Sequence, residues 1–231
     1  MKYRFPVMKN TISFILIGAA MIVGCYCGCI RRGVECIEYQ VVSRHLGYEE
    51  RQYPATAWVS TSTEGPSLSE ANREMYKKLF GYIQGHNVKG MKMNTTTPIR
   101  TRIVPCHGAT CATIFIMSFL IPADMAETAP YPLDTALFIE KDPPMRYAVR
   151  VFEGRATETD WLEESHKLAE LVKKDISIDK SYYYTAWYDP PYQLFHRINE
   201  IWMVKKTEKQ PSPNAGNEQI VPETKDHKFE N

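Results

Sequence analysis

The first regular hydrophobic pattern covers residues 48–62, where Ala55, Ala57 and Val59 occupy alternate positions. A period of two predicts a β-strand that buries one face in a core. A Gly-Pro pair at 65–66 then breaks the alternation, so we expect the strand to end there.

The next segment has hydrophobic residues at every third or fourth position, which predicts an amphipathic helix that ends near Gly85. Ser67 and Glu70 have the spacing of a capping box, in which Ser67 accepts from a first-turn amide and Glu70 reaches back. Two strand-like runs follow, at 99–105 and 112–121. The apolar helix positions are Leu68, Ala71, Met75, Leu79 and Tyr82.

The second half of the chain repeats the order strand, helix, strand, strand. Residues 145–153 alternate like a strand, a helix begins at Thr159 or Asp160, and strand-like runs follow at 182–188 and 199–204. This duplication predicts an α+β domain whose helices cover one face of an antiparallel sheet, or lie outside a barrel closed from both halves. One stripe of the second helix carries Trp161, Ser165, Leu168 and Val172.

Two end segments do not follow these patterns. Residues 1–33 contain the uncharged run 10–30, which predicts a cleaved signal peptide or, alternatively, a signal anchor that crosses a membrane once. Residues 207–231 contain one aromatic residue and predict a disordered tail. The remainder, 34–206, is long enough for one domain. We therefore expect a secreted, extracellular protein, or one that meets a membrane only through its N-terminal segment.

Charge and motif content exclude several kinds of function. The 28 Lys and Arg residues nearly balance the 27 Asp and Glu residues, and the formal net charge is +1. Because no strong positive field exists, we expect no nucleic-acid partner. The sequence has no Cys-x-x-Cys, His-Glu-x-x-His or Gly-x-Ser-x-Gly motif, so we expect a binding protein without catalytic activity.

The six cysteines fall into three groups. Cys106 and Cys111 flank four residues between two strand-like runs, and facing residues of a hairpin lie close enough for a disulfide. So short a ring gives roughly 2 kcal/mol of stabilisation; two free thiols are the alternative. Cys36 has no obvious partner. The others end the apolar N-terminal run and are assigned to the targeting segment: Cys25, Cys27 and Cys29.

A short motif supports the same cellular compartment. Asn94 begins an Asn-Thr-Thr triplet, which is an acceptor pattern for N-glycosylation. Glycosylation and disulfide formation both belong to the oxidising secretory pathway. We therefore predict a glycoprotein with a sugar chain on Asn94.

One strip of the first helix is a candidate binding surface. It carries Arg73, Tyr76, Phe80 and Ile83 beside the apolar core stripe. Aromatic and aliphatic groups next to a cation suit a flat apolar ligand that carries carboxylates. The alternative is that Tyr76 and Phe80 only widen the buried face of the helix.

Four stretches, at 48–62, 82–89, 97–99 and 188–202, resemble the SOUL haem-binding family and occur in the same order. They include Thr-Pro-Ile at 97–99 and Tyr-Asp-Pro-Pro at the start of the last stretch. The resemblance extends from about 38 to 206 and implies a distorted eight-stranded antiparallel barrel flanked by two helices. It also implies non-covalent binding of haem or another tetrapyrrole against the first helix, with the propionates near basic side chains.

The binding residues of the family are partly retained at the matching positions. The helix arginine of the family is Arg73 here. A methionine of that face is replaced by Phe80, the lysine after it by Gly81, and a loop lysine by Gln193. A histidine proposed in the family as iron ligand falls on Gln52, whose amide is a poor ligand for ferric haem.

We therefore expect weak, non-covalent haem binding on the face of Arg73, Tyr76 and Phe80. By sequence context, His86 and His196 are the candidate axial ligands. The protein would then be a tetrapyrrole carrier or scavenger of the secretory pathway.

Two alternatives remain open. The amphipathic helix Asp160–Lys174 could dock into a groove of another protein, which would make the chain a protein–protein interaction module. The same fold could also carry a different apolar ligand.

Overall fold

The computed structural model describes residues 29–106, 111–190 and 192–206. The predicted signal segment up to residue 28, with Cys25 and Cys27, and the predicted tail 207–231 lie outside the described residues. None of the helices in the described ranges has the length and hydropathy to cross a membrane. The described strands and helices are β1 (Ile30–Arg31), β2 (Val34–Cys36), β3 (Gln40–His45), β4 (Tyr48–Tyr53), β5 (Thr56–Gly65), α1 (Leu68–Ile83), β6 (Thr96–Thr97), β7 (Ile99–Val104), β8 (Thr113–Leu120), β9 (Leu137–Asp142), β10 (Met145–Glu153), α2 (Glu158–Leu171), β11 (Tyr183–Trp187) and β12 (Ile198–Lys205).

Nine strands form one antiparallel sheet in the order β3-β4-β10-β12-β11-β7-β8-β5-β9. A small second sheet, β1-β2-β6, pairs β1 with β2 antiparallel and β2 with β6 parallel. The predicted α+β class with two helices is confirmed. In the described part of the chain, hydrogen bonds do not join the end strands β3 and β9, and the sheet has nine strands where eight were expected.

The strand order shows the duplication. The two units, β5-α1-β7-β8 and β10-α2-β11-β12, meet where β7 pairs with β11 and Thr101 lies opposite Thr185. Met117 pairs with Thr101 in the first unit, and Ile201 pairs with Thr185 in the second. The strand before each unit pairs with the other unit: β4 with β10, and β9 with β5. Each half of the chain therefore contributes a strand to the other.

The expected strand at 48–62 is in fact two strands. Pro54 lies between β4 and β5 and has no amide hydrogen to donate to a sheet. β4 consequently pairs with β10, whereas β5 pairs with β8 and β9. The strands predicted at 99–105, 112–121 and 145–153 are confirmed as β7, β8 and β10.

The two faces of the sheet bury separate hydrophobic clusters. Ala57 and Val59 belong to the cluster beneath the helices, with Leu79 of α1 and Leu168 of α2. Trp58 lies between them in the chain and belongs to the other cluster. This is the alternation expected of a strand that is buried on both sides.

Two arginines lie within the cluster that faces away from the helices. Arg100 donates to Asp142 at 2.6 Å, and its guanidinium carbon is 3.9 Å from the ring centre of Trp58. Arg51 donates to Glu200 at 2.8 Å, and both side chains are buried. Such charges are compatible with a core only when they are paired in this way.

The N-terminus of α1 differs from the prediction. Ser67 accepts from the Glu70 amide at 3.4 Å, as expected. The predicted return bond from the Ser67 amide to the Glu70 side chain is wrong, since the helix has only the Ser67 half of the capping box. Instead, Glu158 of α2 accepts from the Leu68 amide at 2.8 Å. The hydroxyls of Ser67 and Ser69 also donate to Glu158 at 3.2 Å. One carboxylate therefore caps the neighbouring helix.

Helix α2 begins at Glu158, slightly before the predicted start at Thr159 or Asp160. Thr157 is the N-cap and forms a reciprocal capping box with Asp160. The pattern of apolar residues located the helix, but not the polar residue that starts it.

Two disulfides lie within the described residues. The predicted Cys106–Cys111 bond is confirmed, with the Cα atoms 5.8 Å apart. The assignment of Cys29 to the targeting segment is wrong, because Cys29 pairs with Cys36 across a Cα distance of 4.9 Å. Gly33 has a φ of 79° and turns the chain so that β1 pairs with β2.

We expect Asp175 to contribute to the loss of stability at low pH. The Ser177 hydroxyl donates to this carboxylate and Lys205 pairs with it at 3.0 Å, which lowers the pKa of Asp175 from 3.8 to about 2. Its stabilising contribution is present above the unfolded-state pKa and is lost as the pH falls towards 2. Between pH 5 and pH 2 the wild type should therefore lose more unfolding free energy than Asp175→Asn, as measured by urea denaturation. Glu153→Gln, a change at an exposed carboxylate, should behave like the wild type; equal losses for all three proteins would contradict the prediction.

Candidate functional site

A cleft of about 390 Å³ lies between the C-terminal half of α1 and the adjoining ends of β7, β8 and β11. Its volume is within the range of small-molecule sites. Most of the side chains in it are apolar or aromatic, and a run of short polar residues closes one side. The lining residues are Val34, Tyr76, Phe80, Ile83, Asn94, Thr95, Thr96, Thr97, Ile99, Phe119, Leu120, Trp187, Tyr188, Pro190 and Tyr192.

Tyr76 is the centre of a group of aromatic rings in the cleft. It lies on α1 one turn before Phe80, and the two rings are stacked with centroids 5.8 Å apart. Phe119 of β8 meets Tyr76 edge-on at 5.3 Å, and Trp187 of β11 is 6.2 Å away with its plane tilted by 26°. The helix and both strands thus present one continuous aromatic wall.

The polar side of the cleft is connected to the buried charges. The Thr97 hydroxyl donates to the Tyr188 carbonyl at 2.9 Å. The Tyr188 hydroxyl in turn donates to Glu200 at 2.9 Å, and Glu200 is the partner of Arg51. Burial and the adjacent Glu200 carboxylate raise the pKa of Tyr188 well above its ordinary value. This wall is therefore fixed by hydrogen bonds to the core.

The lining contains no histidine, cysteine or methionine that could bind iron. Tyrosine is the remaining haem ligand type. Three tyrosines line the cleft. Burial raises the pKa of Tyr76, which disfavours the phenolate that binds iron, and the Tyr188 hydroxyl is bonded to Glu200. Tyr192 is exposed at the mouth of the cleft. Across the described ranges, the side chains of histidine, cysteine, aspartate and glutamate form no cluster able to bind a metal ion.

The structure brings three of the predicted residues into this cleft. Tyr76, Phe80 and Ile83 line it together. Arg73 lies one turn earlier on α1, where its side chain is exposed. Within the described part of the chain, neither Arg73 nor the equally exposed Lys77 forms an ion pair. Both cations are therefore exposed and, among the described residues, without an ion-pair partner on the helix that lines the cleft.

The two histidines proposed as axial ligands lie outside the cleft lining. His86 follows α1 and its ring lies against Gly81. His196 is exposed and has a φ of 54°, and its carbonyl accepts from Arg32 at 3.2 Å. The structure does not bring either ring to the aromatic wall.

Sequence reasoning missed the strand residues of the site. The pattern around Phe119 indicates only a buried strand, and the pattern around Trp187 and Tyr188 only the end of another. The Tyr-Asp-Pro-Pro stretch was the available indication, since a conspicuous turn directly after a strand often accompanies a site. Asn94, the predicted glycosylation site, is exposed and lies in the cleft wall.

The apolar stripe of α2 packs into the core. Trp161, Leu168 and Val172 are buried beneath the helix, whereas Leu162 and Leu171 are partly exposed. Docking this stripe into another protein would require α2 to leave the sheet. The structure thus offers no support for the interaction-module alternative.

Known proteins resemble this chain over most of its length. The sequence profile described as SOUL heme-binding protein matches residues 34–204. Heme-binding protein 2 of Homo sapiens is 35% identical over 162 residues, which cover 70% of this chain and 79% of that protein. Heme-binding protein 1 of Xenopus tropicalis is 30% identical over 177 residues, covering 75% and 93%.

A solved structure shares the fold at low identity. The cryo-EM structure of an EcmrR–DNA complex aligns with a TM-score of 0.52 at 11% identity, covering 71% of this chain and 60% of that one. At this identity the likeness concerns the fold alone.

Proposed function

Because this chain belongs to the SOUL heme-binding protein family, we propose that it binds haem or a related tetrapyrrole non-covalently in the cleft beside α1. The observation that carries the proposal is the aromatic wall of Tyr76, Phe80, Phe119 and Trp187. A flat macrocycle can lie against such a wall, while its carboxylates extend towards the free cations of α1. The family name describes binding, and we propose a carrier or scavenger without catalytic activity.

A titration of haem into the purified protein tests this proposal. We expect a saturable change in the Soret band at micromolar haem, with quenching of Trp187 as the macrocycle approaches it. A titration without saturation would show that the cleft is not a haem site. Tetrapyrroles should also raise the thermal midpoint, because a ligand of the folded state stabilises it by mass action. A screen of other apolar ligands in the same assay tests the remaining alternative.

We expect binding to be nearly independent of iron. The cleft lining provides no histidine, cysteine or methionine. Of its three tyrosines, Tyr76 has a pKa raised by burial and Tyr188 donates to Glu200, which leaves only the exposed Tyr192 at the rim. Metal-free protoporphyrin IX should therefore bind within a few-fold of haem in parallel titrations. His86→Ala and His196→Ala should leave haem affinity unchanged. If either variant bound haem tenfold or more weakly than the wild type, the substituted histidine would be an axial ligand after all.

We expect Arg73 and Lys77 to make a modest, salt-dependent contribution. Both are exposed, and an exposed charge pair is worth about 0.2–1 kcal/mol. Arg73→Ala together with Lys77→Ala should weaken haem binding by about threefold to tenfold at low salt and less at high salt. Lys174→Ala, a change at an exposed cation after α2, is the matched control. If the Arg73 and Lys77 double variant and Lys174→Ala changed haem affinity equally, the α1 cations would not meet the propionates.

We further propose that the protein acts in the secretory pathway. The apolar run at 10–30, the acceptor at Asn94 and the two disulfides support this location. Expression in secreting cells should yield medium-borne protein, or a membrane-anchored form if the run is retained. Endoglycosidase should shift its mobility, and Asn94→Gln should abolish that shift. Protein that stays in the cytosol with reduced cysteines would contradict the location.

A further inference from the structure

The loop between β11 and β12 exposes three large apolar side chains beside the cleft. Tyr192 is 83% exposed, Leu194 72% and Phe195 73%. Tyr192 also belongs to the cleft lining. Isolated exposed apolar residues are ordinary, but an apolar group on one short loop at the mouth of a binding cleft indicates an interaction surface. Residues 192–195 form this rim loop.

Hydrogen bonds give the rim loop a definite backbone shape. Arg197 donates to the carbonyls of Pro190 at 2.9 Å, Gln193 at 3.2 Å and Asp189 at 3.1 Å. The Gln193 side chain donates to the Phe195 carbonyl at 2.7 Å. Within the rim loop these bonds satisfy the carbonyls of Gln193 and Phe195, while the apolar side chains remain outside. Each satisfied carbonyl lowers the cost of bringing the loop into an apolar medium.

The base of the rim loop is positively charged. Arg31 and Arg32 pair with the buried carboxylate of Asp189 at 2.9 and 3.0 Å, and Arg197 lies at the same turn. Three guanidinium groups and one carboxylate leave a net charge of +2. Cations next to exposed aromatic and aliphatic groups are the composition of surfaces that bind anionic lipid headgroups.

The N-terminal segment reaches the domain at this same place. The uncharged run 10–30 ends directly before Arg31 and Arg32, the two residues that pair with Asp189. The Cys29–Cys36 bond fixes the chain there. A bilayer that contacts the N-terminal run would therefore lie next to the rim loop.

We propose that the rim loop docks onto an anionic phospholipid bilayer, so that an apolar ligand passes between membrane and cleft without crossing water. The identity of that ligand rests on the proposed function, whereas lipid docking does not. Leu194 and Phe195 enter the interfacial region, Tyr192 remains at the cleft edge, and Arg32, whose side chain is 42% exposed, meets the headgroups.

Depth-dependent fluorescence quenching tests the docking. The variants Phe195→Trp and Leu46→Trp are made in the full chain, and both carry Asn94→Gln to remove any glycan from the cleft. Leu46 is 94% exposed and directly follows β3. The six residues of β3 carry the chain roughly 20 Å away from the N-terminal residues that adjoin the rim loop. The parent protein with Asn94→Gln alone supplies the background: Trp58, Trp161 and Trp202 are buried, and the emission of Trp187, which lines the cleft, is subtracted with it.

With vesicles of phosphatidylcholine and phosphatidylserine containing nitroxide-labelled lipid, the added emission of Phe195→Trp should be largely quenched and that of Leu46→Trp should not. Quenching of neither variant, or of both equally, would overturn the proposal. A concentration-dependent blue shift of Phe195→Trp without vesicles would instead identify a contact between copies of the chain, and would also overturn it.

Ligand transfer gives the second measurement. Leu194→Asp with Phe195→Asp should slow haem transfer from vesicles to protein about tenfold, while affinity for haem supplied in solution stays unchanged. The matched control, Leu46→Asp with Ile176→Asp, should transfer at the wild-type rate. Unslowed transfer in the rim variant would overturn the membrane route. If the wild type fails to bind haem in solution, the proposed function fails, but the quenching result stands by itself.

Discussion

Replacing Tyr76 and Phe80 together with alanine should lower haem affinity on the order of 100-fold. Stacking of a flat ring system on one aromatic side chain is worth about 1–3 kcal/mol by alanine substitution. Removing both stacking partners should therefore cost about 3 kcal/mol of binding free energy, which is roughly two orders of magnitude in the dissociation constant. Soret titration of the variant and the wild type at one salt concentration measures the difference.

The single variants separate binding from folding. Phe80 is 39% exposed, so Phe80→Ala should weaken binding about tenfold with little change in thermal midpoint. Tyr76 packs on Phe119 and Trp187, so Tyr76→Ala should also lower stability. Leu162→Ala, a change at a half-exposed residue on α2, is the matched control and should bind normally. If the folded double variant bound haem with wild-type affinity, the aromatic wall would not be part of the binding site.

Arg51→Met should lower the free energy of unfolding by about 3–5 kcal/mol, the usual cost of leaving a buried charge without its partner. Burial alone lowers the pKa of Arg51, but the adjacent Glu200 outweighs it and the pKa is raised overall. Glu200 also accepts from Tyr188 at 2.9 Å and from the Trp202 indole at 2.7 Å. Chemical denaturation of the wild type and the variant measures the loss.

The double variant Arg51→Met with Glu200→Met tests whether the loss is a pairing effect. Removing both charges should cost less than the two single changes added together, because no buried charge is then left alone. Arg44→Met, which removes an exposed partner of Glu49, should cost less than about 1 kcal/mol. Additive losses in the cycle would mean that Arg51 contributes mainly by packing against Tyr39.

The elements predicted from sequence are those whose pattern depends on local burial. Both helices and the strands β7, β8 and β10 have clear periodicity, because the residues that share a face of each element pack into the same hydrophobic cluster. β9 was not predicted: it is an edge strand, and Glu140, Lys141 and Asp142 give it the charged character common at edges. The division at Pro54 was missed because hydrophobic alternation continues past it.

The candidate site was predictable only where one element supplies it. The strip Tyr76, Phe80 and Ile83 follows from helical spacing alone. Phe119 and Trp187 join it through β-pairing between distant parts of the chain, which periodicity does not encode. The same reason explains Cys29 and Cys36, since their bond depends on the turn at Gly33. It also explains Glu158, which caps the other helix.

The exchange of β4 and β9 between the two halves has a consequence for the integrity of the domain. A fragment ending at the turn after β8 would retain β4 but lose its partner β10, and the complementary fragment would retain β9 without β5. Each piece would present an unpaired strand edge, which is a template for association with another chain. The molecule has the geometry of a strand-swapped dimer whose two subunits have been joined. The two halves therefore fold only together. If the chain were cut in the connection 121–136, the two fragments could most readily associate to restore the complete sheet.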